Sequence, residues 1–397
     1  MWERRPRRDE KMCKAAPGAM IQPDHFCFPL SRRGAAPTHT RTAESFDTIH
    51  SIPRTLLALC LALLLVACDA QPGISNTVDE LPSRQPEAAS VAIIVNDEDP
   101  LSRHIADYYQ GRRHIPAGNL IHISFRPGSN VMRPEVFTEL KADVDRQTPA
   151  GVQFYVLAWT APYRVGCMSI TTAFAAGFDA DFCVVGCKAT RASPYFDSDS
   201  RRPRDDFGWR PTMMLAGENF DAVKALIDRG VAADGTHPEG TGYLVSTTDR
   251  SRNVRARFYP GILLMQSDRF RFELIRYNTL KYRDDIMFYF TGLARVDGIE
   301  TNAFRPGAIA DHLTSAGGKL TGSRQMSSLR WLEAGATGSY GSVTEPCSFV
   351  QKFPRPNIVI NRYLNGETLI ESYWKSVQWP GQGVFIGEPL AAPFRSE

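Results

Sequence analysis

An α/β fold with a mostly parallel sheet and helices on both faces is predicted by three features of the sequence. Short β-branched runs alternate with helical periodicity from residue 91 onward. The strand-like runs are apolar throughout rather than alternating, as strands buried on both faces require. A strand–helix–strand–helix–strand succession over 91–158 is what right-handed parallel crossovers produce.

The elements follow in order. Val91–Asn96 opens as a strand, and Asp99-Pro100 supplies an N-cap and a proline suited to the first helical position. Leu101, Ile105 and Tyr108 then recur at helical spacing, with the helix ending before Ile115-Pro116. Residues 120–125 form a second strand. Pro134 opens a helix that turns Phe137, Leu140 and Val144 inward, and 153–158 is a third strand. Later, Phe220, Val223, Ile227 and Val231 make a helical stripe, and 242–247 and 286–291 read as strands. A short helix over 328–333, a Gly-rich strand over 336–343, a helix over 363–377 and a closing strand over 383–386 complete the pattern. Two stretches break the rhythm, 164–210 and 250–280, and read as long loop insertions.

Composition limits the function classes. The chain is 43% hydrophobic and 22% charged, which suits a buried core and excludes wholesale disorder. Of its 46 Lys/Arg and 43 Asp/Glu, residues 1–67 hold 10 and 6, leaving 36 basic against 37 acidic side chains. So neutral a body has no surface that would drive counterion release from phosphates, and no nucleic-acid partner is expected.

The N-terminal region carries an address. Residues 56–67 are apolar and Leu-rich and follow Arg54. A membrane-spanning helix takes about 20 apolar residues, so this shorter run reads as the core of an export signal over 51–67. It ends in Leu65-Val66-Ala67-Cys68, similar to a bacterial lipobox, in which the Cys is acylated and becomes the first mature residue. The expected partner is therefore a membrane, reached through an acylated Cys68. Asp69 resembles an inner-membrane retention signal, so a periplasm-facing lipoprotein of the inner membrane is expected. Residues 1–50 read as a start codon placed too early, with a disordered cytoplasmic tail as the alternative. Residues 68–90 are polar and contain proline, as a tether does. The α/β domain is then 91–397.

Beyond Cys68 only Cys167, Cys183, Cys187 and Cys347 remain. An oxidising compartment allows them three pairings, and a disulfide involving the 167–187 loop is expected. Cys183-x-x-x-Cys187 resembles half of a metal knuckle, but no Cys/His pair follows at zinc spacing, so no metal site is expected.

Ligands of open parallel sheets collect beyond the carboxyl ends of the strands. The predicted strand ends carry Asp97 and Asp99, Arg164, Thr291-Gly292, Glu345 with Cys347, and Glu388. Gathered on one edge, Asp97, Asp99, Arg164, Glu345 and Glu388 make a candidate binding rim. Each also has a plainer reading: helix capping for Asp97 and Asp99, a structural ion pair for Arg164, and rigid pre-proline turns for Glu345 and Glu388. Cys347 with His312 is the candidate catalytic pair, a thiol nucleophile and its base, with a disulfide or an inert thiol as the competing reading. There is no G-x-S-x-G elbow, Walker loop, H-E-x-x-H or dinucleotide glycine fingerprint, so no cofactor is expected.

Several segments, taken in order, carry a family likeness. They are Val95-Asn96-Asp97-Glu98-Asp99-Pro100-Leu101-Ser102 with Tyr108-Tyr109, residues 113–119, 156–163 and 335–346, Tyr363-Leu364-Asn365-Gly366-Glu367, and residues 387–393. Together they resemble an uncharacterised family of exported bacterial proteins, a likeness that spans most of 91–394 and implies a fold rather than an activity. The C-terminal part is also similar in layout to the caspase and gingipain group of cysteine peptidases. In that group a His-Gly pair follows one core strand and the catalytic Cys the next. The corresponding places here are Thr291-Gly292, without the His, and residues 312–317, without a Cys.

The functional expectation is thus a lipid-anchored periplasmic protein that binds a peptide, a glycan or a protein partner at the strand-end cleft. The alternative is a hydrolase, thiol-dependent through Cys347 and His312 or metal-assisted through the acidic cluster.

Overall fold

A ten-stranded sheet forms the centre of the protein in a computed structural model, which describes residues 88–183, 186–265 and 270–396. All of these fall in the compact unit Thr77–Glu397. The segment 1–50, the leader over 51–67, Cys68, Asp69 and the tether up to residue 87 lie outside the described residues. Among the described residues no helix is long and apolar enough to cross a membrane.

The strands are β1 (Val91–Asn96), β2 (Leu120–Ile123), β3 (Val131–Met132), β4 (Phe154–Leu157), β5 (Arg164–Val165), β6 (Met168–Ser169) and β7 (Thr212–Met214). They continue with β8 (Gly240–Val245), β9 (Phe270–Ile275), β10 (Ile286–Thr291), β11 (Phe304–His312), β12 (Gly338–Ser342) and β13 (Gly383–Gly387). The helices are α1 (Pro100–Arg113), α2 (Pro134–Gln147), α3 (Ile170–Ala176), α4 (Pro203–Phe207), α5 (Phe220–Ala233), α6 (Tyr259–Ile262), α7 (Leu329–Glu333), α8 (Pro356–Leu364) and α9 (Leu369–Ser376).

The main sheet has the order β2-β1-β4-β7-β13-β12-β11-β10-β8-β9, and β3, β5 and β6 form a small sheet apart from it. The fold class is as predicted, α/β with a large, mostly parallel sheet flanked by helices. One pair breaks the parallel rule: β12 and β13 run antiparallel, Gly338 opposite Gly387 and Ser342 opposite Gly383. The sheet is therefore two parallel blocks running in opposite directions. The first is β2-β1-β4-β7-β13 and the second β12-β11-β10-β8-β9.

The reversal has a local cause. Where the sequence predicts one helix over 363–377, the structure has two. Gly366, at φ 82, closes α8 in a left-handed turn that favours glycine. Thr368 then restarts the chain as α9, with its backbone N–H and hydroxyl both donating to Glu371. One helix would have carried the chain to the far edge for a parallel strand; a helix pair returns it to the edge it left.

The two expected insertions are integral to the fold instead. The stretch 164–210 supplies β5, β6, α3 and α4, and 250–280 supplies β9, the outermost strand of the second block. Strands β8 and β10 are buried on both faces. Leu244, Phe288 and Phe290 enter the large core, while Tyr243, Val245 and Tyr289 enter a smaller one around Trp331. Burying each such side chain stabilises the fold by about 1.5–3 kcal/mol, which explains why these runs carry no polar alternation.

Candidate functional site

Opposed blocks put their carboxyl ends on opposite edges, and this overturns the single rim. Asp97, Asp99, Arg164 and Glu388 follow strands of the first block, whereas His312, Glu345 and Cys347 end or follow strands of the second. The set converges nowhere, because a β12–β13 reversal leaves no trace in strand periodicity.

On the first edge the acids are mostly accounted for. Asp99 caps α1, its Oδ1 accepting from Leu101 N–H at 3.0 Å. Glu388 is fully buried and receives two hydrogen bonds from the Arg113 guanidinium, 2.9 Å from Nε and 2.5 Å from Nη2. Arg113 also pairs with Asp234. This lock ties the last turn of α1 to the chain's C-terminal segment, so Glu388 has no room for a ligand. Arg164 lies in β5 and pairs with neither Asp97 nor Asp99. Asp97 is the exception that faces open space. With His122, Ser124, Glu139 and Asp143 it lines a groove of about 340 Å³, and its Oδ1 lies 2.7 Å from His122 Nδ1. Among the described residues no three His, Cys, Asp or Glu side chains are grouped to hold a metal, so the acidic cluster does not assemble as a metal centre.

The catalytic pair is not assembled. Cys347 forms a disulfide with Cys187, and Cys167 forms one with Cys183. A disulfide sulfur has no thiolate to offer as nucleophile. His312 is buried and committed elsewhere: Trp331 Nε1–H donates to its Nδ1 at 2.9 Å, and its Nε2–H donates to the Met326 carbonyl at 3.1 Å. Burial holds the imidazole down at about 3, so the ring is neutral and serves as a strut between β11 and α7. Glu345 is exposed and accepts the Cys347 backbone N–H at 2.8 Å.

The second edge holds what sequence reasoning missed. Between the carboxyl ends of β8 and β10, where the strand order reverses, lies a hydrogen-bonded polar network. Thr247 Oγ1 donates to the Gly292 carbonyl at 2.7 Å, and Arg252 bonds Asp249 at 2.8 Å and Thr314 Oγ1 at 3.0 Å. Thr314 in turn donates to Gln325 at 2.8 Å, and the Ala316 N–H donates to the same oxygen. Gly292 is obligatory there, since a Cβ would stand 2.0 Å from the Arg252 carbonyl oxygen. Beneath the network, Arg255 and Asp311 form a fully buried ion pair at 2.5 Å. Burial pushes the Asp311 carboxyl up while Arg255 pulls it back.

Gln325 joins this network to a cavity of about 520 Å³ between the loops that follow β10 and β11 and the segment that leads into β10. Lys281, Arg295, Asp297, Glu300 and Arg330 line it with Gln325, and among the described residues its wall includes no aromatic ring, Cys or His. Arg330 is paired with Glu333. Lys281 and Arg295 belong to no ion pair among the described residues, and neither do Asp297 and Glu300. A loop with unpaired charges of both signs beside a strand-end cleft can take a ligand that carries both. The sequence offers little signal for β11, whose run Phe304–His312 is interrupted by Pro306-Gly307, a pair typical of turns. The chain matches no family model, no curated protein and no solved structure.

Proposed function

We propose that this protein is a lipid-anchored periplasmic binding protein that takes a peptide bearing both charge signs in the cleft beside β10 and β11. The observation that carries the reading is the cavity of about 520 Å³ with unpaired Lys281, Arg295, Asp297 and Glu300 in its wall. A glycan fits less well, because sugar-sized ligands are usually gripped by aromatic as well as polar side chains and among the described residues this wall has no ring. In the peptidase group that the C-terminal part resembles, the dyad follows two successive strands. The corresponding places here, Thr291-Gly292 and residues 312–317, offer a neutral strut histidine and no thiol. Export is supported by the Leu-rich run ending at Cys68 and by two disulfides, which persist in oxidising compartments.

Isothermal titration of the protein with mixed-charge peptides tests the site. Lys281→Glu with Arg295→Glu is expected to weaken binding about tenfold or more, as a loss of about 1.4 kcal/mol implies. Unchanged affinity in that variant would remove the cleft from consideration. Mass spectrometry of the N-terminus of the membrane-extracted protein tests the anchor, and an unacylated Cys68 rules it out.

A further inference from the structure

The large hydrophobic side chains that stand exposed among the described residues are Leu263, Leu264, Tyr277 and Tyr282, and all lie between positions 263 and 282. Three of them are strongly exposed, Leu264 at 80%, Tyr277 at 75% and Tyr282 at 81%. They occupy the segments that lead into and out of β9, which ends the ten-stranded sheet and, among the described residues, has β8 as its one neighbour. End strands are usually blunted by proline, by charged side chains, by a bulge or by great brevity, and of these β9 has the pair Arg271 and Glu273, of opposite sign. β9 is six residues long, Phe270-Arg271-Phe272-Glu273-Leu274-Ile275, contains neither proline nor glycine, and pairs with β8 in unbroken register.

The direction of its free backbone groups follows from one bond. Ser246 N–H donates to the Ile275 carbonyl, so Ile275, Glu273 and Arg271 turn their backbone groups toward β8. By strand alternation Phe270, Phe272 and Leu274 turn theirs outward. On the face of the strand, Arg271 and Glu273 lie side by side at 3.2 Å, their side chains 70% and 36% exposed.

We propose that β9 pairs antiparallel with β9 of a second copy of this chain, about a two-fold axis at Phe272, joining two ten-stranded sheets into one. In this register Phe272 meets its own image as a hydrogen-bonded pair, and Phe270 faces the partner's Leu274. Arg271 stands opposite the partner's Glu273, and by symmetry the contact occurs twice. Sliding the axis by one residue sets Arg271 against Arg271, or Glu273 against Glu273, so charge selects the register as well as the partner. The exposed leucines and tyrosines beside the strand supply apolar area to the same interface.

Sedimentation equilibrium of the full chain, with its two single charge reversals and their combination, tests the pairing. The unaltered protein is expected to dimerise. Arg271→Glu and Glu273→Arg each place like charges across the axis and are expected to weaken the dimer about tenfold or more. Arg271→Glu combined with Glu273→Arg restores opposite charges at both contacts and is expected to recover the dimer. The combined variant keeps an ion pair within its own strand, so it reports on assembly even if a single reversal disturbs folding. A monomer at every concentration overturns the proposal. So does a dimer indifferent to the single reversals, or a combined variant no better than either.

Discussion

The two blocks of the sheet use buried charge in the same way but treat their open edges differently. In the first block Arg113 and Glu388 bolt a helix to the chain's end, and in the second Arg255 and Asp311 bolt the 253–262 turn to β11. Both pairs are desolvated, but they differ in support: Arg255 also donates to the Thr291 carbonyl at 2.9 Å, while its Nε and Asp311 Oδ2 are buried without a hydrogen-bond partner among the described residues. Beyond the strands the resemblance stops. The first block's acids are spent on a cap and a lock, with Asp97 alone facing a groove. The second block's strand ends join a polar network to a cavity with unpaired charges. A similar layered scaffold therefore need not carry its site at the same end, and the carboxyl-edge rule has to be applied to each block separately.

The largest test of this comparison removes the cations. Arg113→Ala and Arg255→Ala each strand a buried carboxylate and are expected to cost about 3–5 kcal/mol, read as a shift in the midpoint of urea unfolding. Because β13 of the first block pairs directly with β12 of the second, both variants should shift one common transition. Two separated transitions would show that the blocks are independent.

A smaller effect should distinguish the second block by pH. The folded His312 titrates at about 3, well below an unfolded imidazole near 6.5. Above that unfolded value both states are neutral and the full stability is present. As pH falls below it, the unfolded chain takes up a proton that the folded state refuses. Stability is then lost at up to about 1.4 kcal/mol per pH unit until the folded value is reached. Comparing urea unfolding near neutral pH and at mildly acidic pH checks this: His312→Gln should lose that part of the slope, and a variant that keeps it contradicts the strut assignment.

The smallest expected effect concerns the first edge. Asp99→Ala removes the cap of α1 and should cost about 1 kcal/mol in the same unfolding measurement. Peptide affinity at the second edge should not change, and a loss of binding would mean that the edges are coupled.

How much of this could be read from the sequence differs between the blocks for a physical reason. β1, α1, β2, α2 and β4 are regular, locally encoded elements, and Asp99-Pro100 announces its helix through cap and proline chemistry. β9 was hidden by Arg271 and Glu273, which an end strand tolerates on its exposed face. β7 is three residues long, and β11 begins in Phe-Arg-Pro-Gly. The site suffered most because its placement depends on tertiary direction. Glu388 and Arg113 are 275 positions apart, and nothing local to either predicts their meeting. Cys347 likewise finds Cys187 across 160 residues, which turned a candidate nucleophile into a crosslink.

The seam between the blocks is filled by β13, the last strand in the chain, inserted between β7 and β12. A polypeptide that emerges N-terminus first must therefore hold two incomplete sheets with raw inner margins until β13 follows the other strands. The assembly closes like an arch whose keystone is cut late, so a chain cut short of β13 would lose more than one strand: it would leave two half-structures with sticky flanks facing each other across an empty slot.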